Sequence, residues 1–97
     1  MSLATADTRV ARIRACLERQ LAPLALELVD ESHLHAGHAG ARSGRGHYRV
    51  RIVSAAFASL PTIRRHRMVY EALGPIMEQD VHALSIEALA PSEVRQP

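Results

Sequence analysis

The 97-residue sequence predicts one small α+β domain ordered helix, strand, strand, helix, strand, with a mixed three-stranded sheet and helices packed on one face. Three observations carry that expectation. Two segments repeat apolar residues at three- and four-residue steps, the period of an amphipathic helix. Three others alternate apolar and polar residues, the period of a half-buried strand. A helical segment joins the last two strands, and a right-handed crossover of that kind makes its strands parallel.

The first helix is expected over residues 7–20. Val10, Ile13, Leu17 and Leu21 form its apolar stripe, and Arg9, Arg12, Arg14, Glu18 and Arg19 mostly fall off it. Thr5 or Asp7 can cap its start, and Pro23 ends it. Cys16 lies three residues from Ile13, which suits a core thiol. The first strand is expected over residues 24–30, with Leu24, Leu26 and Leu28 facing one way and Ala25, Glu27 and Val29 the other. The second covers residues 47–54. Tyr48, Val50 and Ile52 take its core face, while His47, Arg49 and Arg51 point outward. These strands pair antiparallel across residues 31–46, which are too many for a tight hairpin. That stretch holds Gly37, Gly40, Gly44 and Gly46, so it is expected as a flexible loop.

The second helix is expected over residues 60–73, with Ser59 as a cap and Pro61 in the first turn. Ile63, His66, Val69, Tyr70 and Leu73 fall on or near one face, and Gly74-Pro75 closes the helix. Residues 76–79 add a short helical turn. The third strand covers residues 81–89, with His82, Leu84, Ile86 and Ala88 on one face. Residues 91–93 read as a last short helix or as the start of a tail. Residues 1–6 and 91–97 are expected as flexible tails on a single domain spanning 1–97.

Composition narrows the function classes. Aromatic residues are 3% of the chain, so the core must be built from Leu, Val, Ile, Ala and Met. No apolar run approaches the ~20 residues that span a bilayer, and the first ten residues lack the apolar stretch of a secretory signal. The single cysteine, Cys16, excludes an internal disulfide and suits a reducing cytoplasm. Every basic residue is Arg, and the net charge is only +2, low for a dedicated DNA-binding domain. Arg64, Arg65 and Arg67 still leave room for a nucleic-acid face, against the ordinary reading of a solvated helix surface. Gly37-His38-Ala39-Gly40 matches the GxxG of KH domains but joins two strands rather than two helices, and is read as coincidence. Asp30, Ser32 and the nearby histidines lack a nucleophile elbow or oxyanion hole, and no enzyme is expected. Read from the residues alone, His82 beside Leu84 and Ile86 is a core histidine bonded to backbone. His33, His35 and His38 make a His-rich loop that binds metal or nothing.

Three strings in register change that balance. Asp30-Glu31-Ser32-His33-Leu34-His35-Ala36-Gly37-His38 opens the long loop, Arg65-His66-Arg67-Met68-Val69-Tyr70 lies in the second helix, and Val81-His82-Ala83-Leu84-Ser85-Ile86 begins the third strand. Together they resemble the BolA family. His47-Tyr48-Arg49-Val50 adds to the likeness, standing where the family writes Ser-His-Phe, a basic residue and Val. Gly46 replaces that Ser and Tyr48 the Phe. The resemblance covers residues 10–90 and implies the class II KH-like fold, in agreement with the element order. It further implies a non-enzymatic protein that pairs with a monothiol glutaredoxin and shares a [2Fe–2S] cluster with it and its glutathione. His82 would be one ligand. A loop histidine would be the second, His35 by position, with His38 a close rival and His33 a weaker one. The isolated chain would hold no cluster and would be a monomer or weak dimer. Asp30, Ser32, His47, His66 and Tyr70 would be structural members of the family motifs. Family members are also described as DNA-binding transcriptional regulators of stress response and cell morphology, a role that would fall to Arg64, Arg65 and Arg67. Imidazole suits iron, and a chain with one thiol needs a partner's thiolates to complete such a centre.

Overall fold

A computed structural model of the chain describes residues 5–32 and 46–94. The elements are α1 (Thr5–Leu21), β1 (Ala25–Asp30), β2 (Gly46–Val53), α2 (Thr62–Leu73), α3 (Ile76–Gln79) and β3 (Val81–Leu89), with 3-10 turns at Ala55–Phe57 and Pro91–Glu93. The sheet order is β1-β2-β3, antiparallel between the first pair and parallel between the second. This is the expected α+β architecture.

The central strand organises the core. Tyr48, Val50 and Ile52 alternate onto the inner face of β2 and are buried against Ile13 and Leu17 of α1 and Val69 and Leu73 of α2. Each such aliphatic burial is worth about 1.5–3 kcal/mol against exposure. Leu26 and Leu28 of β1, and Leu84, Ile86 and Ala88 of β3, pack partly buried against the same cluster, as does Cys16. On the opposite face Arg51 meets Glu87 of the neighbouring strand at 3.2 Å.

Several expectations about individual side chains are corrected. Leu24 is 73% exposed rather than inward. It precedes the first register pair, Ala25↔Val53, at the corner where the chain leaves α1 through Ala22, whose φ is 45°. Ser59 caps nothing; it takes a left-handed φ of 65°, and Pro61 stands at the N-cap of α2. The inward stripe of α2 is Arg65, Val69 and Leu73, while Ile63 is 67% and Tyr70 42% exposed. The helix is turned this way because Arg65 has buried work to do. Its Nε donates to Leu60 O at 2.8 Å, Nη1 to Ala88 O at 3.0 Å, and Nη1 and Nη2 grip the Glu93 carboxylate at 2.5 and 2.8 Å.

Of the two readings of residues 91–93, a short helix or the start of a tail, the structure shows the short helix. Pro91–Glu93 is a docked turn, and Glu93 Oε1 additionally accepts from Ala90 N at 2.8 Å. At the other end, the first helix starts at Thr5, two residues before the start that the sequence suggests. The Arg65 guanidinium holds the Glu93 carboxyl down to about 2. Because this value lies below that of the free carboxyl, the contribution is complete above pH ~4.5 and is lost as pH falls through about 2. Amide signals of Ala90 and Val94 should therefore hold steady through pH 3 and shift only near 2. Glu93→Gln should erase the transition, and a Glu93 carboxyl titrating near 4.5 would contradict the latch.

Candidate functional site: a histidine lifted from the sheet

The site lies at the end of the sheet where β2 and β3 begin. Gly46 pairs with Val81, but the next pair is His47↔Ala83, so His82 is an extra residue in the ladder. Such a bulge re-aims a side chain. Strict alternation puts His82 on the core face with Leu84. Instead Val81 takes the core position and His82 is exposed on the opposite face. Its ring lies beside that of His47, with centroids 5.0 Å apart and planes inclined by 53°. His47, expected to point into solvent, is only 8% exposed.

Two anchors fix this arrangement. On the β1 side, Asp30 Oδ1 accepts from Ser32 N at 2.9 Å, closing an Asx turn. Ser32 Oγ then accepts from His47 N at 3.0 Å, and Glu31 N donates to His47 O at 2.7 Å. Asp30 and Ser32 thus seat the His47 backbone. On the β3 side, Asp80 O accepts from Gly46 N at 2.9 Å. The Asp80 carboxylate meets Arg12 Nη2 at 2.8 Å and Arg9 Nε at 3.4 Å, tying the residue two before His82 to α1. Arg9 also neighbours the Tyr48 phenol, whose ionisation is pushed up by burial.

His33, His35 and His38 lie outside the described residues, as does the GxxG string. The described flanks of their segment, Ser32 and Gly46, both sit at the end of the sheet that carries His82. Among the described residues, no group of three or more His, Cys, Asp or Glu could hold a metal. The exposed side chain that the bulge presents is the imidazole of His82. This fits one ligand of an iron centre whose other donors arrive from elsewhere.

The arginine string is not a single surface. Arg65 is 8% exposed with its nitrogens committed within the fold, which removes it from a nucleic-acid contact set. Arg64 and Arg67 are exposed. His66 lines an outer depression of α2 with Ile63 and Tyr70. The proximity of His47 to His82, and the clamp of Arg9 and Arg12 on Asp80, were not legible in the sequence. The period-two pattern contains no mark of the bulge, and ion pairs between distant segments leave no spacing to read.

A mixed three-stranded sheet with helices packed against it defines a small α+β domain. The chain belongs to the BolA family, whose BolA-like protein model matches residues 17–93. SufE-like protein 1, chloroplastic/mitochondrial, of Arabidopsis thaliana is 44% identical over 90% of this chain and 25% of its own length. BolA-like protein 1 of Mus musculus is 44% identical over 89% of this chain and 61% of its own. The chain therefore spans less than two thirds of either relative. The BolA domain of SufE1 from Arabidopsis thaliana has the same fold, with a TM-score of 0.80 and 42% identity over 96% of this chain and all of that one. The solution structure of mouse BolA1 gives 0.76 and 43% over 96% of this chain and 73% of its own. No helix among the described residues is long and apolar enough to cross a membrane.

Proposed function

We propose that this protein is a BolA-type adaptor that binds a monothiol glutaredoxin and contributes His82 to a [2Fe–2S] cluster shared with that partner and its glutathione. The supporting observation is the bulge, which exposes the His82 imidazole beside His47 instead of burying it with Leu84. Ligation by His35, or by its rival His38, agrees with the position of the loop's two flanks. The single thiol, Cys16, packs partly buried against the core, so thiolate ligands fall to the partner. A reducing compartment, the cytoplasm in the first instance, suits such chemistry. The role is that of an adaptor, not a catalyst. The DNA-binding reading loses its central cation with Arg65 turned inward. Two remaining phosphate contacts would give a salt slope of only about −2.

The test is reconstitution. The chain mixed with a monothiol glutaredoxin, glutathione, iron and sulfide should co-elute as a coloured heterodimer whose visible spectrum differs from that of the glutaredoxin alone. Separate elution, or a spectrum identical to the partner's own, would refute the proposal.

A further inference from the structure

The outer face of α2 carries a second apolar stripe that the domain itself does not use. Ile63 and Tyr70 stand two helical turns apart, about 10 Å along the axis, and are two of the large exposed hydrophobics among the described residues. His66 and Arg67 lie between them, and the four side chains line one open depression with Thr62. Its floor is a single helix, so it cannot wrap a small molecule. The basic groups at its flank are exposed. Arg9, Arg12, Arg49, Arg51 and Arg65 have carboxylate partners, whereas among the described residues neither Arg64 nor Arg67 forms an ion pair.

We propose that this face docks an amphipathic helix of a partner protein, with apolar side chains seated between Ile63 and Tyr70 and carboxylates opposite Arg64 and Arg67. Helix-on-helix docking uses this three- and four-residue spacing. A second copy of the chain fits worse. Antiparallel self-packing that sets Ile63 on Tyr70 centres the twofold axis between His66 and Arg67, and brings Arg67 against its own copy. Single-stranded nucleic acid also fits worse, because the stripe is aliphatic at its Ile63 end and Arg65 is unavailable. The inference is independent of the cluster, since α2 supplies none of its proposed ligands.

The probe is a synthetic peptide of Leu, Ala and Glu with leucines spaced three and four apart, titrated into the isotope-labelled chain. Two control peptides accompany it, one scrambled and one with Lys for Glu. The expected result is a shift of the Ile63, Arg67 and Tyr70 amides by the patterned acidic peptide only. Ile63→Ser and Arg67→Glu, both exposed changes that leave the spectrum's dispersion intact, should each weaken binding about tenfold or more. Three outcomes overturn the proposal: no shift, equal shifts with the scrambled peptide, or larger shifts of the same amides with a single-stranded oligonucleotide. Concentration-dependent shifts of the chain alone would overturn it in favour of a homodimer.

Discussion

Replacing His82 by alanine is expected to abolish the visible absorption that distinguishes the heterodimer, while leaving the free chain folded. The ring is exposed and lies outside the core cluster, so its loss should change stability by no more than about 0.5 kcal/mol. At this chain length that is a change in Tm of about 4 °C or less. His82→Cys is the informative companion. A thiolate in place of imidazole should retain a cluster and lower its reduction potential by on the order of a hundred millivolts or more. His47→Ala should act differently again, because that ring is buried beneath the site while its backbone anchors to Ser32 and Glu31. It should shift the spectrum and destabilise the fold without removing the ligand. His35→Ala and His38→Ala, made singly, would show which loop histidine matters. A heterodimer spectrum untouched by His82→Ala would exclude this imidazole from the centre.

The element order was legible because helix and strand periods are set by local geometry and survive in a single sequence. Both amphipathic helices, all three strands and the antiparallel-then-parallel sheet were predictable from it. The site was legible in part. Val81-His82-Ala83 singled out the residue that the bulge exposes, but alternation placed it on the core face, since a one-residue bulge inverts every side-chain direction before it without altering composition. Helical periodicity likewise selected Ile63, His66 and Tyr70 as inward residues of α2. The observed helix turns Arg65 inward, a choice decided by carbonyl groups of Leu60 and Ala88 and by Glu93, all remote in sequence or on other elements. Buried polar networks override the apolar stripe in such cases because an unpaired interior donor costs more than an exposed Ile.

Gly46→Ser is expected to be the most damaging small substitution at the site, and Tyr48 is the reason. A Cβ at position 46 would lie 2.5 Å from the Tyr48 Oη, 2.6 Å from Cε2 and 2.7 Å from Cζ. The phenol is packed in the core and cannot swing away, so relief requires backbone movement or ring displacement. Overpacking of this kind costs about 1–3 kcal/mol, and each kcal/mol lowers the Tm of a domain this size by about 4–8 °C. Gly46 and Tyr48 therefore act as a pair: the tip of Tyr48 fills the space that a side chain at 46 would take. Tyr48→Phe alone should be close to neutral, because the buried hydroxyl that it removes has no hydrogen-bond partner among the described residues. Combined with Gly46→Ser it should cost less than the sum, with a coupling of about 0.5–3 kcal/mol in a denaturant-unfolding double-mutant cycle. Strict additivity would mean that the ring does not hold position 46 open. The contact also bears on the site, because Gly46 pairs with Val81 and donates to Asp80 O. Displacing it moves the start of the bulge, so Gly46→Ser should weaken cluster retention in the heterodimer, and the added Tyr48→Phe should restore part of both stability and retention.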